Sequence, residues 1–182
     1  MTSRLLTAVG AFAAACAISV PACAAATSTP SSPSRPSTAT CTGAGDLRLH
    51  LPNTRGSKIA GITYYTLDFT NTSSSTCSVS GYPYVSMITR HGGQLGSAAG
   101  HGLMTIAPLV VLAPGATAHT TLAYYGARVS SRRGCGPVAT AYQLRVYVAG
   151  QKRALYSSMG LHSCSHAGQV YLTVTQPFKR GS

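Results

Sequence analysis

The chain contains no glutamate and no tryptophan, and Asp46 and Asp68 are its only acidic residues. Carboxylate chemistry is therefore confined to two positions. A glycosidase built on paired acids would need both to converge, and a serine triad would have to draw its orienting acid from one of them. Without tryptophan, and with several tyrosines in the inward phase of strands, sugar stacking is disfavoured. No helical stripe persists for three turns, and after the N-terminal segment no apolar run approaches the roughly 20 residues that a spanning helix needs.

What is abundant is positive charge. Fourteen Lys and Arg against the two acids give a formal charge of +12 in 182 residues, a balance that speaks to partners and solubility rather than to fold. Arg4, the apolar residues 5–20, the breaker Pro21 and the small-residue site Ala22-Cys23-Ala24 have the layout of an export signal. Val20-Pro21-Ala22-Cys23 also looks like a lipobox, which makes Cys23 a lipid-attachment candidate. The mature protein is then secreted or lipid-anchored at the cell envelope, touching membrane only through such an anchor. Residues 25–40 are mostly Ser, Thr, Pro and Ala and cannot bury enough surface to order themselves, so they read as a linker. The expected organisation is a leader at 1–24, this linker, one folded domain at 41–178 and a basic tail at 179–182.

Within the domain the apolar residues alternate. Tyr65, Leu67 and Phe69 share one face of a strand over residues 62–71, and the turn-forming residues 71–76 lead to Cys77 and a second strand that stops at Gly81-Tyr82-Pro83. Leu47, Leu49 and Leu51 alternate in the same way. So do Ala118, Leu122 and Tyr124. Tyr142, Leu144, Val146 and Val148 face one way, with Gln143, Arg145 and Tyr147 opposite. Eight or nine short strands between Gly, Pro and Ser turns predict an all-β fold, a two-sheet antiparallel, immunoglobulin-like β-sandwich.

The residues Phe69-Thr70-Asn71-Thr72, Cys77, Gly81-Tyr82-Pro83, Leu112-Ala113-Pro114-Gly115, Cys135, Leu144-Arg145-Val146-Tyr147 and Cys164, in that order, resemble an actinobacterial family of exported proteins and lipoproteins catalogued as domain of unknown function 4232. The likeness covers roughly residues 41–177. It implies a leader, a Ser/Thr/Pro linker and a β-sandwich with two disulfides, and it implies no activity. The four cysteines expected in the mature chain, of the six in the sequence, allow three pairings. The resemblance, with chain order, favours Cys41 with Cys77 and Cys135 with Cys164.

Three groups of residues remain as candidates for chemistry. His162, Cys164 and His166 place two imidazoles beside a sulfur, but a zinc site needs a free thiolate and further ligands, which a disulfide at Cys164 removes. A catalytic thiol at Cys135 or Cys164 meets the same objection. Arg128, Arg132, Arg133, Arg145, Lys152 and Arg153 form an anion-binding candidate if the loop after Tyr125 and the hairpin after Val148 lie together. The expected partners are anionic envelope polymers or lipid headgroups, with no specific nucleic acid. The expectation is a binding or structural module without catalytic residues, cofactor or metal, the alternative being an envelope enzyme or metal-binding protein that uses the 162–166 loop.

Overall fold

The computed structural model describes residues 38–103, 106–126, 136–166, 168 and 170–181. Among them, after one 3-10 turn at Gly43–Gly45, the chain forms strands β1 (Leu47–His50), β2 (Ser57–Ile59), β3 (Ile62–Asn71), β4 (Cys77–Val79), β5 (Tyr84–Ile88), β6 (Gln94–Leu95) and β7 (Gly100–His101). There follow β8 (Val110–Leu112), β9 (Thr117–Tyr124), β10 (Val138–Tyr147), β11 (Leu155–Cys164), β12 (Leu172–Val174) and β13 (Lys179–Arg180). The fold is all-β, as expected. Hydrogen bonding divides it into three sheets rather than two: β1-β3-β9-β12-β7 with β2 on β3 and β13 on β9, then β11-β10-β5-β6, then β4-β8. The β12–β7 ladder is parallel, which the antiparallel expectation did not include. Among the described residues no helix is long and apolar enough to cross a membrane.

The strand with the cleanest alternation holds the larger sheet together. β3 buries Tyr65, Leu67 and Phe69, and its partners flank it on both sides, with Leu49 opposite Phe69 on β1 and Leu122 opposite Tyr65 on β9. One hydrophobic cluster collects residues from all three sheets: Leu67 and Phe69, Val85 and Val146, Val79 and Leu112. Burying a side chain of this size is worth about 1.5–3 kcal/mol, and this shared core supplies the force that brings the sheets together.

Asn71 ends β3 fully buried, and every polar atom of its side chain is matched. Its amide nitrogen donates to the carbonyls of Ser75 (2.8 Å) and Leu112 (2.9 Å), and its oxygen accepts from the Ser73 N–H (3.0 Å) and hydroxyl (2.8 Å). The polar run at 72–76 therefore reverses the chain around one amide and links β3 to β8. At Ala113-Pro114-Gly115 the turn closes as its composition suggests, with the Ala116 N–H donating to Ala113 at 2.9 Å and Gly115 at a φ of 79° that favours glycine.

Cys41 and Cys77 are joined, the pairing expected for them, with Cα atoms 5.0 Å apart. Backbone bonds from Cys41 to Ser78 and from Ser78 to Ala39, both 2.9 Å, tie the start of the domain to β4 at the same place. Lys179 and Arg180, expected as a basic tail, instead form β13 and pair with His119 and Ala118 of β9.

Tyr124 connects the two larger sheets. Its hydroxyl donates to the His162 carbonyl of β11 at 2.7 Å and accepts from the His162 N–H at 3.2 Å. Burial raises the pKa of this phenol, and burial likewise raises that of Tyr65. In the unfolded chain both phenols titrate near pH 10. Above that value the unfolded state loses its protons first, so the stabilising contribution is present below about pH 10 and lost as pH rises through the folded pKa values. Urea unfolding followed from pH 8 to 11 is expected to show stability declining above about pH 10, with a shallower decline in Tyr124→Phe. An identical slope in that variant would remove Tyr124 as a cause.

Candidate binding surface

β10 places alternate residues on the two faces of the four-stranded sheet. Leu144 and Val146, with Val148 just past the strand, enter the core, and Gln143, Arg145 and Tyr147 face outward. Upstream the alternation breaks, because the β10–β11 register shifts between Ala141 and Gln143. That bulge sends Ala141 inward in place of Tyr142, which is 45% exposed. The inward phase expected for Tyr142 is corrected accordingly, and its ring lies under the guanidinium of Arg90 at 4.6 Å.

Register brings further rings to this face. Tyr84 of β5 lies opposite Tyr147, and Tyr156 of β11 lies opposite Arg145; Tyr84 and Tyr156 are each 54% exposed. Directly opposed side chains in an antiparallel pair stand about 5 Å apart at Cβ and diagonal ones somewhat farther, so these rings are neighbours. Beyond Tyr84, the exposed His101 ring approaches it at 5.2 Å and stacks on Tyr82 at 5.0 Å, 11° from parallel.

Arg145 sits among these rings. One of its terminal nitrogens donates to the Gln94 side chain at 2.9 Å. Gln94 is on β6, and β5 lies between β10 and β6, so the arginine side chain must cross β5 to reach it. This accounts for Ser86 and Ile88, which share the outward phase of Tyr84 yet are only 8% and 2% exposed. The Arg145 Nε is buried under this arrangement and has no hydrogen-bond partner among the described residues. Its guanidinium carbon is 5.9 Å from the Tyr147 ring centre. No strand of this sheet carries an acidic residue.

The other sequence candidates separate. Arg128, Arg132, Arg133 and Cys135, like Cys23, lie outside the described residues. Lys152 and Arg153 are exposed in the connection between β10 and β11, and the Arg153 carbonyl abuts Gly43, where a Cβ would come within 2.6 Å. Of the three expected anion-binding residues among the described ones, Arg145 is on the sheet face and Lys152 and Arg153 are in the connection beside it.

Cys164 is fully buried and disulfide-bonded, with its sulfur 2.8 Å from the Tyr171 hydroxyl, while His162 and His166 are exposed. A sulfur in that state is no metal ligand. Among the described residues no group of three or more His, Cys, Asp or Glu side chains is placed to hold a metal.

The two carboxylates have different surroundings. Asp46 accepts from the Thr42 N–H (2.6 Å) and hydroxyl (2.8 Å) and so braces the Gly43–Gly45 turn. Asp68 is half-buried on the outer face of β3, in register with His50 on β1 and His119 on β9. Asp46 lies level with Thr72, to which its carbonyl is bonded, so four residues of β3, about 13 Å, separate the two positions along the strand.

The fold and this surface define a disulfide-linked, all-β domain with an aromatic and cationic sheet face. The chain belongs to the family described as Domain of unknown function (DUF4232), which matches it over residues 41–177. No curated protein matches it.

Proposed function

We propose that this protein is an exported, non-enzymatic binding module of the cell envelope that holds anionic envelope polymers through Arg145 of the four-stranded sheet and the cations Lys152 and Arg153 of its β10–β11 connection. The observation that carries this reading is Arg145, fixed by Gln94 in the middle of an exposed sheet face without an acidic residue. A pre-positioned guanidinium loses little freedom on meeting carboxylate or phosphate, and its fork matches both. Two further facts support the reading. A disulfide suits an oxidising compartment, and the separation of Asp46 from Asp68 leaves no paired-acid site of the glycosidase kind. The same proposal takes Cys135 as the partner of Cys164 and the fold as an immunoglobulin-like sandwich, supported by the disulfide-bonded state of Cys164 and by the core that the sheets share.

Lys152→Ala with Arg153→Ala, compared with Arg55→Ala with Lys58→Ala beside and within β2 of the other large sheet, tests the placement of the charge. Each pair removes two exposed cations. At physiological ionic strength, where screening acts over about 8 Å, the first pair is expected to weaken sedimentation with an anionic wall polymer at least threefold more than the second. Equal losses would make the attraction diffuse and defeat the proposal. Binding to anionic lipid vesicles but to no polymer would move the target to headgroups and overturn the polymer assignment.

A further inference from the structure

We infer that the outward face of the β11-β10-β5-β6 sheet is a platform for an acidic polysaccharide, whose sugar rings stack on Tyr84, Tyr147 and Tyr156 while its acidic substituent meets Arg145. This rests on the binding role proposed above and names the ligand class.

The arrangement of the rings carries the argument. Tyr84 and Tyr147 face each other across β5 and β10, and Tyr156 flanks Arg145 across β10 and β11. Two half-exposed rings and the partly buried ring of Tyr147 thus flank the Arg145 position, while its guanidinium lies over β5 toward Gln94, 5.9 Å from the Tyr147 ring centre. Large rings exposed side by side leave apolar area in water without covering the core, a cost that a ligand with flat apolar faces would relieve. A pyranose has such faces, formed by its axial C–H groups, and polar edges directed sideways. The terminal nitrogens of Arg145 not bonded to Gln94 supply donors to such edges, together with the outward Gln143 amide. Tyr82 and His101 continue the surface beyond Tyr84, which suits a chain of sugars better than a single one. The positive charge and lack of acids on this sheet select a polymer carrying carboxylate or phosphate. A lipid surface would need protruding apolar side chains, and the sheet offers rings lying among polar groups.

The absence of tryptophan gives a direct readout, because the near-ultraviolet absorbance of this protein is dominated by its tyrosines. Three probes separate the terms: polygalacturonate, which has rings and carboxylates; poly(glycerol phosphate), which has charge without rings; and a neutral 1,4-linked glucan, which has rings without charge. The full mature protein is expected to bind polygalacturonate at physiological salt with a tyrosine difference spectrum. Tyr84→Ala with Tyr156→Ala is expected to weaken that binding at least tenfold and to leave poly(glycerol phosphate) binding within twofold. Arg145→Gln is expected to abolish the preference for polygalacturonate over the neutral glucan. A phosphodiester-linked sugar polymer in a parallel arm shows which acid is preferred.

Thermal unfolding checks that each variant is folded. Tyr84→Thr with Tyr156→Thr, which keeps strand-favouring side chains, replaces the alanine pair if that pair does not fold. If the tyrosine variants bind polygalacturonate as well as the parent does, the platform is wrong while the cationic module stands. If no anionic polymer binds at physiological salt, both fall.

Discussion

Phe178→Ala is expected to lower the stability of the domain by about 3–5 kcal/mol, the usual cost of removing a fully buried aromatic ring. Phe178 has no exposed surface, and its ring meets Phe69 edge to face, with centres 5.0 Å apart and planes at 87°. Such a pair adds about 0.5–1.5 kcal/mol to the burial itself. Its N–H also donates to the Gly81 carbonyl at 3.1 Å, so the residue joins the segment after β4 to the last strand. In a domain of this size the loss corresponds to roughly 10–15 °C in Tm. Phe178→Leu should recover more than half of it, because most of the apolar volume returns. A cost below about 1 kcal/mol for the alanine variant would show that the ring is not packed as described. The family match stops at residue 177, yet packing continues through Phe178 and backbone pairing through the 2.7 Å bond from Gly181 to Thr117.

Cys41→Ala combined with Cys77→Ala should cost about 4 kcal/mol. The bond spans a sequence separation of 36 residues, and closing a loop of that length removes corresponding entropy from the unfolded chain. Denaturant titration of the double variant against the oxidised parent measures it. Hydrogen exchange should localise part of the damage to the Cys41 and Ser78 amides, whose bonds fasten the start of the domain to β4. A loss under about 1 kcal/mol would mean that this backbone pairing holds the segment without the crosslink.

Strands were legible where large apolar residues alternate without interruption. β3 has the bounds its pattern predicts, and the inward set of β9 matches as well. β11 runs for ten residues, a length that alternation does not show, because Ser157, Ser158, Gly160 and Ser163 give weak periodicity although Met159 and Leu161 are buried. β7 lies in the glycine- and alanine-rich stretch 96–102, which carries no alternation of large apolar residues. Gly102, just after it, abuts the Thr175 carbonyl where a Cβ would collide, so small size there serves close approach.

The binding surface was less legible than the fold. The outward phases of Arg145 and Tyr147 follow from alternation along one strand. That Tyr156 stands beside them depends on the register of the β10–β11 hairpin, and that Tyr84 does depends on register between strands far apart in the chain, neither of which alternation along one strand encodes. Tyr142 was misread for a related reason: one extra residue in a ladder reverses every phase upstream of it.

The pairing of β3 with β9 also fixes when the larger sheet can extend beyond its local β1, β2 and β3 pairings. Its closest registered pair, Thr70 with Thr117, is 47 residues apart in the chain. Bringing those ends together costs about 3 kcal/mol of chain entropy before the first ladder bond offers any return. Folding dominated by such pairings belongs to the millisecond-to-second range rather than to microseconds. The Cys41–Cys77 bond closes a different loop and does not shorten this search. Until it ends, β3 waits with Tyr65, Leu67 and Phe69 in water, and its unpaired edge is open to any extended strand that arrives before β9 does.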